Sequence, residues 1–122
     1  MIEIYMEKIQ DLLDPSKTNL KIGESKEKVI YIVDVTETYV VNEQEVYDML
    51  TLGNKNRSVG FTEMNAQSSR SHSCFILTVK SDNSVDFSSK AGKLYLVDLA
   101  GSEKIEKTGA TGNTLEEAKM IN

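Results

Sequence analysis

The chain has 122 residues, 39% of them hydrophobic and 27% charged, with a net charge of -5 and a single cysteine. That length suits one domain with a modest core, and the composition excludes a disordered chain. No apolar run approaches the roughly 20 residues of a membrane span, no basic stripe offers a nucleic-acid footprint, and Cys74 alone forms no intramolecular disulfide.

Residues 2–6 alternate well enough for a short strand, and Ile9, Leu12 and Leu13 then stand at helical spacing, which predicts a short helix ended by Asp14-Pro15-Ser16. Leu20 to Ile22 reads as a brief strand. The β-branched and aromatic run Val29 to Val33 reads as a firmer one continuing toward Val41, with a charged turn over Gly23 to Lys28 between the two. Asn42 and Glu45 form a capping box for a helix to about Asn56, with Val46, Met49 and Leu50 on its apolar stripe and Gly53 weakening its last turn.

Gly60 to His72 is polar and lacks either period, so it is expected to be a long loop. Ser73 to Lys80 is a core strand that buries Cys74, and Ser81 to Gly92 is a hairpin connection. The near-continuous apolar content of Lys93 to Leu99 predicts a strand buried on both faces. After an irregular stretch from Ser102 to Gly112, Thr114 and Glu117 box a terminal helix. The order β-α-β-α-loop-β-β-loop-α fits an α/β domain with helices against a mixed sheet. The chain opens within a strand and stops two turns into a helix, so a single domain cut at both ends, 1–122, is expected.

Two loops hold the candidate chemistry. Asp98, just past a strand, with Gly101 three residues on, is a recurring arrangement for Mg²⁺-nucleotide chemistry: the carboxylate holds the metal's water shell and the glycine amide approaches the terminal phosphate. Ser68 and Ser69 supply hard oxygen ligands beside Arg70, whose planar fork suits a carboxylate such as Glu103. An Arg70–Glu103 bridge would couple the loops. Each piece has a plainer reading as well, a strand ending at an acidic turn and a solvated serine loop. His72 has no second histidine or cysteine cluster to make a metal site, and an orienting hydrogen bond is its expected role.

Asn65-Ala66-Gln67-Ser68-Ser69-Arg70-Ser71-His72 resembles the N-x-x-S-S-R-S-H switch I of kinesin motor domains, and Asp98-Leu99-Ala100-Gly101-Ser102-Glu103 resembles their D-L-A-G-S-E switch II. Glu3-Ile4-Tyr5 with Lys8-Ile9-Gln10-Asp11-Leu12-Leu13, and Gly92 to Val97, are similar to flanking stretches of that family. Thr108-Gly109-Ala110 and Leu115 to Lys119 resemble the conventional transport class most.

The resemblance implies part of a P-loop ATPase motor that moves along microtubules, cytoplasmic and cytoskeletal, with ATP and Mg²⁺ as its ligands. It further implies that Ser69 coordinates Mg²⁺ and Asp98 holds it through water, while Ser68 and the Gly101 amide meet the γ-phosphate. Arg70 and Glu103 would latch the switches, with Asn65 in the closed loop. Lys104, Lys107 and Lys119 match the microtubule-facing surface, as does a loop around residues 20–33, although Glu103, Glu106, Glu116 and Glu117 nearly cancel those lysines. No G-x-x-x-x-G-K-[ST] occurs, so the phosphate-cradling loop is expected upstream of residue 1, and the isolated chain is expected to be inactive and to self-associate. The alternative is a non-catalytic kinesin-like module that binds microtubules or partners.

Overall fold

The computed structural model describes residues 1–59 and 70–101. Strands β1 (Ile2–Tyr5) and β2 (Lys8–Asp11) form an antiparallel hairpin with Tyr5 opposite Lys8. Its two loop residues, Met6 and Glu7, have φ of 48° and 60°, the left-handed pair whose twist matches that of the flanking strands. A strand thus stands where the spacing of Ile9, Leu12 and Leu13 predicts a helix. Ile9 reaches the core from β2, and Leu12 reaches it just beyond, where its amide donates to the Met1 carbonyl at 2.9 Å.

The chain then turns around Asp11, whose carboxylate is fully buried. Its Oδ1 accepts from the amides of Leu13 (2.8 Å) and Asp14 (3.3 Å), and its Oδ2 from that of Thr36 at 2.6 Å. One side chain therefore satisfies three backbone donors and pins two remote segments together.

Strands β3 (Ile22–Glu24) and β4 (Ile30–Ile32) make a separate two-stranded antiparallel sheet. Tyr31 lies opposite Gly23, and a Cβ on Gly23 would stand 2.7 Å from the ring's Cζ, so the ring occupies the space a side chain would need. β4 stops at Ile32, two residues before Asp34 at φ 59°, and does not run on to Val41.

Helix α1 (Glu43–Val59) begins as its capping residues dictate. The Glu45 amide donates to Asn42 Oδ1 at 3.0 Å, and the Glu45 carboxylate accepts from the Val41 amide and the Asn42 side chain. The helix continues three residues past Asn56. Gly53, which the sequence marks as a weak point, is buried against the Met1 side chain and lets the helix approach the start of β1. Asn56 Nδ2 donates to the Leu12 carbonyl at 2.7 Å, tying helix to hairpin.

The last two strands, β5 (His72–Asp82) and β6 (Ser89–Asp98), form a hairpin longer than the sequence indicates. β5 also pairs with β1, giving a four-stranded sheet in the order β2-β1-β5-β6 with every described pairing antiparallel. Ile2, Ile9, Leu12 and Phe75 form the buried apolar core. β6 departs from expectation. It is the edge strand, exposed along its whole length, with Leu94, Tyr95, Leu96 and Val97 each about half exposed because no described element covers them. The expected terminal helix from Thr114 lies outside the described residues.

Candidate functional site

The described ends of the two candidate motifs meet at one end of the β5–β6 hairpin. β5 starts at His72 and β6 ends at Asp98, and the antiparallel register sets Ser73 opposite Asp98. The residues following the first motif and those opening the second are therefore brought together by sheet geometry alone.

Arg57, in the last turn of α1, ties this end to the rest of the fold and is 9% exposed. Its Nη1 donates to Asp98 Oδ2 at 2.6 Å and to Ser73 Oγ at 3.1 Å. Its Nη2 donates to the Ser71 carbonyl at 3.2 Å and to Ser71 Oγ at 3.4 Å. Ser71 Oγ in turn donates to Glu3 Oε1 at 2.6 Å, and Arg57 Nε stands 3.7 Å from that oxygen. One guanidinium thus joins α1, β1, β5 and β6.

The charges are unequal in setting. Glu3 and Arg57 are both buried, whereas the Asp98 side chain is 68% exposed. Arg57 thus pairs with one buried and one solvent-facing carboxylate. A second contact ties the loop ends directly: the Ala100 amide donates to His72 Nδ1 at 3.0 Å. Cys74, next on β5 after Ser73, is half-buried, and that burial pushes its thiol pKa up, in keeping with the small-hydrophobe role read from its surroundings.

Of the residues singled out from sequence, Asp98 stands at the end of β6 in the grip of Arg57, Gly101 follows Ala100 and is half-buried, and Arg70 is half-buried beside Ser71. Asn65, Ser68, Ser69, Glu103, Lys104, Lys107 and Lys119 lie outside the described residues, and with them the Arg70–Glu103 bridge. The orienting hydrogen bond expected of His72 is present. Among the described residues no three His, Cys, Asp or Glu side chains cluster as a metal site, and no helix is long and apolar enough to cross a membrane.

Sequence reasoning overlooked Arg57, Glu3, Ser71 and Ser73. A signal for Arg57 was present: it follows Gly53 by four residues and Leu50 by seven, so it continues the inward stripe of the helix. A cation at an inward position demands a buried partner.

A family model described as the kinesin motor domain matches residues 1–122. Kinesin-related protein 3 of Dictyostelium discoideum is 57% identical over 121 residues, covering 99% of this chain and 10% of that protein. The human kinesin-1 heavy chain is 54% identical over 120 residues, covering 98% and 12%. Among solved structures, that of a fast kinesin superposes with a TM-score of 0.86 at 52% identity, covering 98% of this chain and 34% of that one. The chain thus spans about a tenth of the length of these curated relatives and about a third of the solved motor.

Proposed function

Because the chain belongs to the kinesin motor domain family, we propose that the full-length protein couples ATP hydrolysis to movement along microtubules and that this chain carries its phosphate-sensing switches. The observation that carries the reading is the convergence of the S-S-R-S-H and D-L-A-G ends on one hairpin base, cross-linked by Arg57–Asp98 and Ala100–His72. Two loops joined in this way respond together to whatever occupies the space between them.

In this reading Mg²⁺, when bound, would supply positive charge against that developing on the phosphates. The solvent-facing carboxylate of Asp98 suits a metal held through water, with Ser69 as a direct ligand. Ser68 and the Gly101 amide receive the γ-phosphate, Arg70 and Glu103 close the switches around it, and Asn65 belongs to the closed loop. Lys104, Lys107 and Lys119 face the acidic microtubule. Catalysis of this kind is positioning and electrostatics, with no covalent intermediate.

The test is ATP turnover by the full-length protein with and without microtubules. Microtubule-stimulated hydrolysis supports the motor reading, and binding to microtubules without turnover replaces it with the non-catalytic module. Glu103→Ala is expected to cut turnover far more than ATP affinity, and equal loss of both removes the latch role. Residues 1–122 alone are expected to show no micromolar ATP binding by titration calorimetry, since no phosphate-cradling motif occurs in them.

A further inference from the structure

The ladder between β5 and β6 ends at the Ser73–Asp98 pair, and beyond it the second loop no longer has a strand to follow. The first amide held after that point is that of Ala100, and its acceptor is a side chain, His72 Nδ1, at 3.0 Å. His72 is itself firmly placed. It opens β5 and pairs with Ile4 of β1, so its backbone belongs to the sheet on the side away from β6. The imidazole thus reaches from a rigid element to the second residue past β6.

We propose that His72 is a positioning residue for the second loop: by holding the Ala100 amide it fixes the peptide that presents the adjacent Gly101 N–H. The proposal rests on the reading of Gly101 as the donor to the γ-phosphate. Nδ1 accepts here, so the neutral imidazole carries its proton on Nε2. Two side-chain torsions separate that acceptor from the sheet, which leaves little slack. An amide displaced by 1 Å from its productive position can cost about a hundredfold in rate. The same contact carries information between the motifs, because His72 closes the first one and Ala100 lies inside the second.

The acceptor can be isolated from the bulk. His72→Asn places a carbonyl oxygen close to where Nδ1 stood, and His72→Leu has nearly the shape of the Asn variant with no acceptor. Both are compared with the wild type in the full-length protein, reading steady-state ATP turnover and hydrogen exchange of the Ala100 amide. His72→Leu is expected to lower kcat about 10- to 100-fold with KM for ATP within about twofold, the pattern of an interaction realised in the transition state. His72→Asn is expected to stay within about threefold of wild type, and Ala100 protection to be lost in the Leu variant and kept in the Asn variant.

A Leu variant as fast as wild type, or an Asn variant as slow as Leu, overturns the tether and leaves the motor reading standing. A wild-type protein without ATP turnover overturns the motor reading, and the proposal falls with it. If the Leu variant does not fold, the wild-type imidazole ¹⁵N spectrum decides: an unprotonated Nδ1 with coupling to the Ala100 amide is expected, and a protonated Nδ1 overturns the proposal.

Discussion

At the scale of single residues, Arg57 has the largest structural duty in the site. Truncation to Ala leaves Glu3 buried with a carboxylate whose cation is gone, and breaking a buried pair in this way costs about 3–5 kcal/mol. Asp98→Asn removes a carboxylate that is mostly in solvent, so it is expected to cost less than about 1 kcal/mol. Denaturant unfolding of the two variants checks the ordering, and similar losses would contradict the split between a buried and an exposed partner. The raised pKa of Cys74 predicts alkylation at pH 8 slower than that of a cysteine in an unstructured peptide, because less thiolate is present. Asp98 and His72 were legible in the sequence because their chemistry is tied to a short contiguous motif. Arg57 and Glu3 were not, because they meet Asp98 and Ser71 only after folding, across 41 and 68 residues.

Among the elements, the β1–β2 hairpin was the hardest to read. Its loop is Met6-Glu7, with none of the Asn or Gly that favour positive φ, so neither residue announces the turn. The strained backbone gives a test: Glu7→Gly is expected to stabilise the fold by up to about 1 kcal/mol, seen as a higher midpoint in denaturant. Helix α1 was legible at its start, where Asn42 and Glu45 act locally, and less so at its end, which tertiary contacts at Asn56 and Arg57 extend. At the β5–β6 tip, Asp86 Oδ1 accepts from the Ser88 hydroxyl and amide, and these bonds hold its pKa below the usual carboxylate range. A lowered carboxylate pKa contributes stability that is present above the unfolded value and lost as pH falls through the folded one. The Ser88 amide shift is therefore expected to titrate with a midpoint lower than that of an aspartate in an unstructured peptide.

For the molecule as a whole, β6 is the element that matters most. Its apolar residues were legible as a strand meant for burial, whereas no described element covers it, and a local pattern carries no information on which element packs against a strand. An edge strand with Leu94, Leu96 and Val97 open to solvent is a template for pairing, so residues 1–122 alone are expected to associate as concentration rises. Light scattering that reports a monomer over a hundredfold range of concentration would contradict this. The same hairpin has a practical use. Ten paired rungs at about 3.4 Å place the Asn83–Ser88 tip roughly 30 Å from the Ser73–Asp98 pair. Val85 and Phe87 at that tip are almost wholly exposed, so a fluorophore or a short peptide tag inserted there leaves every rung intact. A one-residue deletion within either strand, by contrast, turns Asp98 to the opposite face from Arg57. The hairpin is thus a reporter arm with a tolerant tip, and a dye at position 85 would report changes in the tilt of a base that cannot itself be labelled without harm.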